Sequence, residues 1–251
     1  MTAHKTLLAR RTLVAAIPAA AFLALAGPAE ARWCGARCDQ VVLDWNAGTH
    51  QVIKAADGYL NPMAASRTLA MVHLAMHDAA NAVDARYESY ALKSAPASFV
   101  QHSTRRRADE GVAAIAAATA AHDVLVALYP QQKSLLQSML GTALHEAGHG
   151  PAIEQGRKLG AEAAAAMLAQ RANDGSAAEE SYKPGQRPGE YQYTPGFDFL
   201  AAPHWRAVKP FSLAKPSQFR VAPPPALDSA EYAAALQEVR QSGSNRRPPQ
   251  R

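Results

Sequence analysis

Two stretches of this 251-residue chain carry side chains whose types and spacing could do chemistry. His145-Glu146-Ala147-Gly148-His149 fits HExxH, in which two histidines one helical turn apart bind zinc and the glutamate activates a water. That chemistry needs both imidazoles on one face of an intact helix, and a third ligand downstream. Here Gly148 stands inside the pattern and Gly150-Pro151 follows at once, a proline that steers Gly150 away from helical geometry. Ala152 occupies the place of the glycine that extends the motif in one large group of zinc peptidases. The five residues are read as a helix end, with a zinc hydrolase using His145, Glu146 and His149 as the lesser alternative.

The second stretch is Pro62–Asp84, where His73, His77 and Asn81 recur every four residues with Asp78 and Asp84 beside them. A helical His-x-x-x-His pair can bind metal with a carboxylate assisting. The plainer reading is that the interior histidines bond carboxylates or backbone carbonyls from neighbouring helices, since buried polar groups are hydrogen-bonded. Leu69, Val72, Met76, Ala79 or Ala80, and Val83 mark an apolar face at helical period, and the opposite side is hardly more polar. Such a helix is buried, so the fold is expected to wrap Pro62–Asp84, with Asn61 as N-cap and Pro62 at the first helical position.

A third, smaller pattern is Cys34-Gly35-Ala36-Arg37-Cys38, which holds the only cysteines of the chain. A disulfide is the favoured reading in an oxidising compartment, with free thiols and a metal pair as alternatives. A loop this small constrains little chain entropy, so its stabilisation falls at the low end of the range. No serine-centred triad with its elbow, no P-loop and no dinucleotide fingerprint occurs.

The elements that must position these residues are helical. The chain is 48% hydrophobic with aromatics at only 7%, a composition for close-packed, alanine-rich helices rather than a sheet. Residues 1–31 read as a signal peptide: Lys5, Arg10 and Arg11, an apolar run from Leu13 to Leu25, then Ala29-Glu30-Ala31 as a small-x-small cleavage site. The run is about 13 residues, short of the roughly 20 of a membrane span. A periplasmic or secreted location follows, without a membrane span after cleavage, by ordinary or twin-arginine export. Setting aside the leader and the last ten residues, the 26 basic and 21 acidic side chains reduce to 20 of each. A neutral body argues against nucleic acid as a partner.

Helices are expected over Val41–Asp57, Pro62–Asp84, Ala108–Tyr129, Gln131–Glu146 and Pro151–Asn173, making a bundle over 32–175. Ala108–Tyr129 directs Val112, Ile115, Thr119, His122, Val126 and Tyr129 to one face, and Arg105-Arg106-Arg107 before it is a solvated start. Gly156, Gly160 and Ala164 form a smooth strip that lets a neighbour approach closely, and Arg157, Lys158 and Glu162 make this a soluble packing strip rather than a membrane one. Asn173-Asp174-Gly175 is a helix stop. From 176 to 227 periodicity lapses into nine prolines and eight aromatics. Long irregular segments in compact domains are usually functional, and disordered linkers hold few aromatics, so this strap is expected to lie ordered against a surface. A final helix over 228–241 starts with Asp228 as cap and Glu231 completing a capping box, and 242–251 is a basic tail.

In that order, SRTLAMVHLAMHDAANAVD, LGAEAAAAMLAQRANDGS, YKPGQRPGEYQYTP, HWRAVKPFSL and FRVAPPPALDSAEYAAALQEV resemble the N-terminal half of secreted bacterial relatives of vanadium-dependent haloperoxidases. That family belongs to the PAP2 (phosphatidic acid phosphatase type 2) superfamily, and the resemblance covers roughly residues 39–240. It implies an all-α fold of two bundles, vanadate or phosphate held by the C-terminal bundle, and the Pro-rich arm as the strap between them. The family's oxyanion pocket uses Lys-x6-Arg-Pro, Pro-Ser-Gly-His, and a last Arg with a His. No Pro-Ser-Gly-His occurs here, and the nearest approach to the first motif, Arg240 with Arg247-Pro248, puts arginine where lysine belongs. No catalytic, cofactor-binding or metal residue is carried over. The resemblance thus implies the N-terminal half of a haloperoxidase-like or phosphatase-like enzyme, inactive alone, left by a truncated or split gene. It is expected to associate with itself or to act as a helical scaffold complementing a separately encoded catalytic half.

Overall fold

Alanine in a helix leaves room for neighbours on every side, and the bundle is built on the segment that uses this most. In the computed structural model, which describes residues 35–83, 85–93, 106–147 and 150–243, the central element is α3, Arg106–Leu128. Val112 to Ala121 are buried without a break. Around α3 pack α1 (Gly35–Ala55), α2 (Pro62–Asn81), α4 (Lys133–Ala147) and α5 (Pro151–Arg171). Glu110–Leu128 has the length and hydropathy of a membrane span, but its neighbours make it the core helix of a bundle. The described residues form an all-α fold without strands.

The expectation that the fold wraps Pro62–Asp84 is therefore corrected. α2 is largely buried, yet Ser66 is exposed and His73, Leu74 and His77 are half-buried at its edge. The centre belongs to α3, whose small side chains admit four helices, while α2 packs against α1, α3 and α5.

The α3–α5 contact is the closest and rests on the predicted smooth strip. A Cβ at Gly160 would stand 2.5 Å from the Ala116 carbonyl oxygen and 2.6 Å from the Thr119 Cβ, and one at Gly156 2.7 Å from Ile115. Only glycine lets the two backbones meet here. α1 buries Cys38, Trp45, Thr49, Val52 and Ile53, begins earlier than expected, and its Cys38 is disulfide-bonded. Asn61 caps α2 as predicted, accepting from the Ala64 N–H at 3.1 Å. The leader 1–31, Cys34, Asp84, Arg105 and the tail beyond Gly243 lie outside the described residues.

Beyond α5 the chain is irregular, apart from a short 3-10 turn at Pro203–Ala207, until α6, Ala230–Ser242. The expected cap is displaced by one: Ser229, not Asp228, accepts from the Tyr232 N–H at 3.1 Å. α6 buries no residue and makes no substantial packing contact with the bundle. The strap holds to the bundle at chosen points and leaves much of its aromatic surface open, including Phe197 and Phe199. It is less fully laid against a surface than its composition suggested.

Candidate functional site

The polar stripe of α2 is satisfied by the chain that follows it. Asp78 is fully buried, and its carboxylate accepts from three successive main-chain amides: Tyr90 at 2.7 Å, Ala91 at 2.6 Å and Leu92 at 2.9 Å. Asn81 accepts from the Arg86 and Tyr87 N–H groups at 3.1 and 3.0 Å and donates to the Tyr87 carbonyl at 2.7 Å. His77 meets the Glu88 carbonyl at 3.2 Å, and His73 meets the Asn46 side chain of α1 at 3.1 Å. Asp78, Asn81 and His77 bind a loop, 85–93, by its backbone, while His73 meets an asparagine side chain of α1, so the histidine partners are a loop carbonyl and an amide rather than carboxylates or carbonyls of neighbouring helices. Asp84, named with these residues, lies outside the described set.

Burial, together with the charge of nearby His50, holds the His73 imidazole below the usual histidine range. His50, one turn beyond Asn46 on α1, bonds its own ring to the Tyr59 hydroxyl. This corner is a polar edge of the α1–α2 contact rather than a ligand set. Among the described residues no group of three histidine, cysteine or acidic side chains is placed to hold a metal ion.

The second site was not legible as a site. Arg171, on the last turn of α5, is a fully buried arginine, which such a side chain tolerates only when paired and hydrogen-bonded. Its guanidinium donates to Asp174 at 2.8 and 2.7 Å. Arg67 of α2 reaches the same carboxylate oxygen at 2.7 Å and the Arg171 carbonyl at 3.0 Å. The other Asp174 oxygen takes the Ser176 N–H at 3.0 Å. Burial alone would raise the Asp174 pKa, but the bonds from Arg67 and Ser176 and the charge of Arg67 outweigh it, keeping the carboxyl well below the usual carboxylate range.

This cluster fastens the strap. Arg171 donates to the Lys209 carbonyl at 2.7 Å and the Pro210 carbonyl at 3.3 Å, and lies 3.9 Å over the ring of Phe211. The Lys209 N–H returns a bond to the Asp174 carbonyl at 2.8 Å. Phe211 in turn stacks on Tyr90, 6.2 Å between centroids, and Tyr90 is one of the residues bonded to Asp78. The two sites are thus one continuous latch, from α2 through loop 85–93 to the strap and back to α2 by Arg67. Asn173-Asp174-Gly175 is a helix stop, as read, and also the latch's hub.

His145 and Glu146 are exposed on the final turn of α4, which ends at Ala147. Gly150, at φ 112°, is in a conformation suited to glycine. His149 lies outside the described residues.

The family model for the vanadium chloroperoxidase N-terminal domain matches residues 38–198. The chain belongs to this family. Searches of curated proteins and of solved structures found no match. The match spans the bundle, loop 85–93, Asp174 and the first part of the strap, so the latch joins elements inside the matched region to Lys209–Phe211 beyond it. Vanadate or phosphate would need cationic donors free to converge on it. Arg67 and Arg171 do converge, but on the Asp174 carboxylate, while Arg187 and Arg206 pair on the surface with Glu190 and Glu180. These four arginines are taken up by carboxylates and do not fit an oxyanion.

Proposed function

We propose that this chain is the exported N-terminal half of a vanadium haloperoxidase-like or PAP2-type enzyme, whose task is to hold the strap in place for a second, oxyanion-binding half. It has no catalysis of its own. The observation that carries this reading is the division of labour along the strap. Lys209–Phe211 is fixed to the bundle through Arg171, while Phe197, Phe199 and Phe219 remain 58%, 58% and 75% exposed. Aromatic rings of this kind each bury about 150–250 Å² when covered, and apolar surface on that scale marks an interaction site. The family match and the lack of a Pro-Ser-Gly-His motif support the assignment of the oxyanion pocket to the other half.

The test is an assay of the purified mature chain for bromide oxidation by peroxide with added vanadate, and for phosphate ester hydrolysis. Neither substrate should turn over. Turnover of either one by the chain alone, abolished by substitution of residues within it, would sink the reading.

A further inference from the structure

The chain contains two Asp-Gly pairs, Asp57-Gly58 and Asp174-Gly175. The chemistry of such a pair is intrinsic. The glycine amide nitrogen, unshielded by a side chain, attacks the aspartate Cγ and closes a five-membered succinimide as one water leaves. Water then reopens the ring at either carbonyl, restoring aspartate or giving isoaspartate, whose main chain runs through the former side-chain carboxyl. One water leaves and one returns, so mass is unchanged and nothing is oxidised or reduced. What differs between two such pairs is whether the fold lets the carboxyl and the next amide approach each other.

The fold treats the two pairs in opposite ways. Asp174 is 4% exposed, with one carboxylate oxygen held by Arg67 and Arg171, the other by the Ser176 N–H, and its carbonyl bonded to the Lys209 N–H. Its ring cannot close without opening the latch. Asp57 is exposed in the turn between α1 and α2, its carboxylate makes no capping bond, and its backbone sits in the left-handed region at φ 50°.

We propose that Asp57 is a site of spontaneous isoaspartate formation in the native protein, and that the latch protects Asp174 from the same reaction. Isomerisation lengthens the main chain at a turn whose bonds, Leu60 N–H to the Asp57 carbonyl and Asn61 N–H to the Gly58 carbonyl, seat the cap of α2.

The full chain is aged at neutral pH, folded or in denaturant, then labelled with an isoaspartyl methyltransferase and mapped after trypsin. In the folded protein, label should enter the peptide of residues 55–67 at least about a hundredfold faster than the peptide holding Asp174, a barrier difference of ~2.7 kcal/mol. In denaturant the two rates should converge. Asp57→Glu, which cannot close a five-membered ring, should abolish label in the first peptide, and Asp57→Asn, which expels ammonia instead of water, should speed it. Equal native rates at the two pairs would overturn the proposal, as would label in residues 55–67 that survives Asp57→Glu.

Discussion

Replacing Asp174 by asparagine keeps the shape of the side chain and removes its charge. Two guanidiniums are then left facing a neutral amide, with side-chain exposures of 14% for Arg67 and 0% for Arg171. Arg67 can turn toward solvent, and Arg171 cannot. Removing one partner of a buried pair costs about 3–5 kcal/mol, because the remaining charge stays desolvated. For a domain of this size each kcal/mol lowers Tm by about 2–4 °C, so Asp174→Asn should lower it by roughly 6–20 °C. The loss should also have a location. Arg171 holds the Lys209 and Pro210 carbonyls and the Phe211 ring, so limited proteolysis should first open the strap around 209–211. The matched assay is urea or thermal unfolding of wild type, Asp174→Asn, Arg171→Met and the double variant. Because Arg171→Met removes the stranded charge, the double variant should recover part of what Asp174→Asn alone loses. A cost for Asp174→Asn below about 1 kcal/mol, the level of a surface ion pair, with an unchanged cleavage pattern, would refute the latch.

Acid should weaken the α1–α2 edge. Burial and the His50 charge depress the His73 pKa, so between that value and the ordinary one near 6.5 the unfolded chain binds a proton that the folded chain rejects. Stability is accordingly full above about pH 6.5 and falls as the pH drops through this window. Urea midpoints should follow that course, and His50→Gln should move the His73 titration, followed by NMR, upward. Gly160→Ala puts a Cβ 2.5 Å from the Ala116 carbonyl oxygen, and overpacking of this kind costs about 1–3 kcal/mol. The unfolding midpoint should drop accordingly, while the exposed Gly141→Ala, where nothing lies within 4 Å, should not lower it.

Local features were legible where one helix contains the whole signal. Asn61-Pro62 gave the start of α2, and the Gly156–Gly160–Ala164 strip gave a close helix contact. Features that depend on which helices meet were not legible. The periodicity of Pro62–Asp84 marks a buried helix but does not say that alanine-rich α3 admits more neighbours. Arg67 and Asp174 are 107 residues apart in sequence, and each alone reads as a surface charge or a helix stop. Their pairing arises only when α2 and α5 pack side by side. Asp78 shows the same limit in milder form. Its need for partners could be foreseen, but three consecutive amides of a loop twelve to fourteen residues on could not.

The central claim is that the strap is fixed at Lys209–Phe211 and offers its remaining aromatics to a second half. Hydrogen exchange across 176–243, measured on the chain alone and after co-expression with the C-terminal half of a related enzyme, tests it most directly. Alone, the amide of Lys209, bonded to Asp174, should be protected while those of Phe199 and Phe219 exchange freely; with the other half present these should slow as well. An isolated chain in which the Phe199 and Phe219 amides are already as protected as that of Lys209, unchanged by the added half, would contradict it.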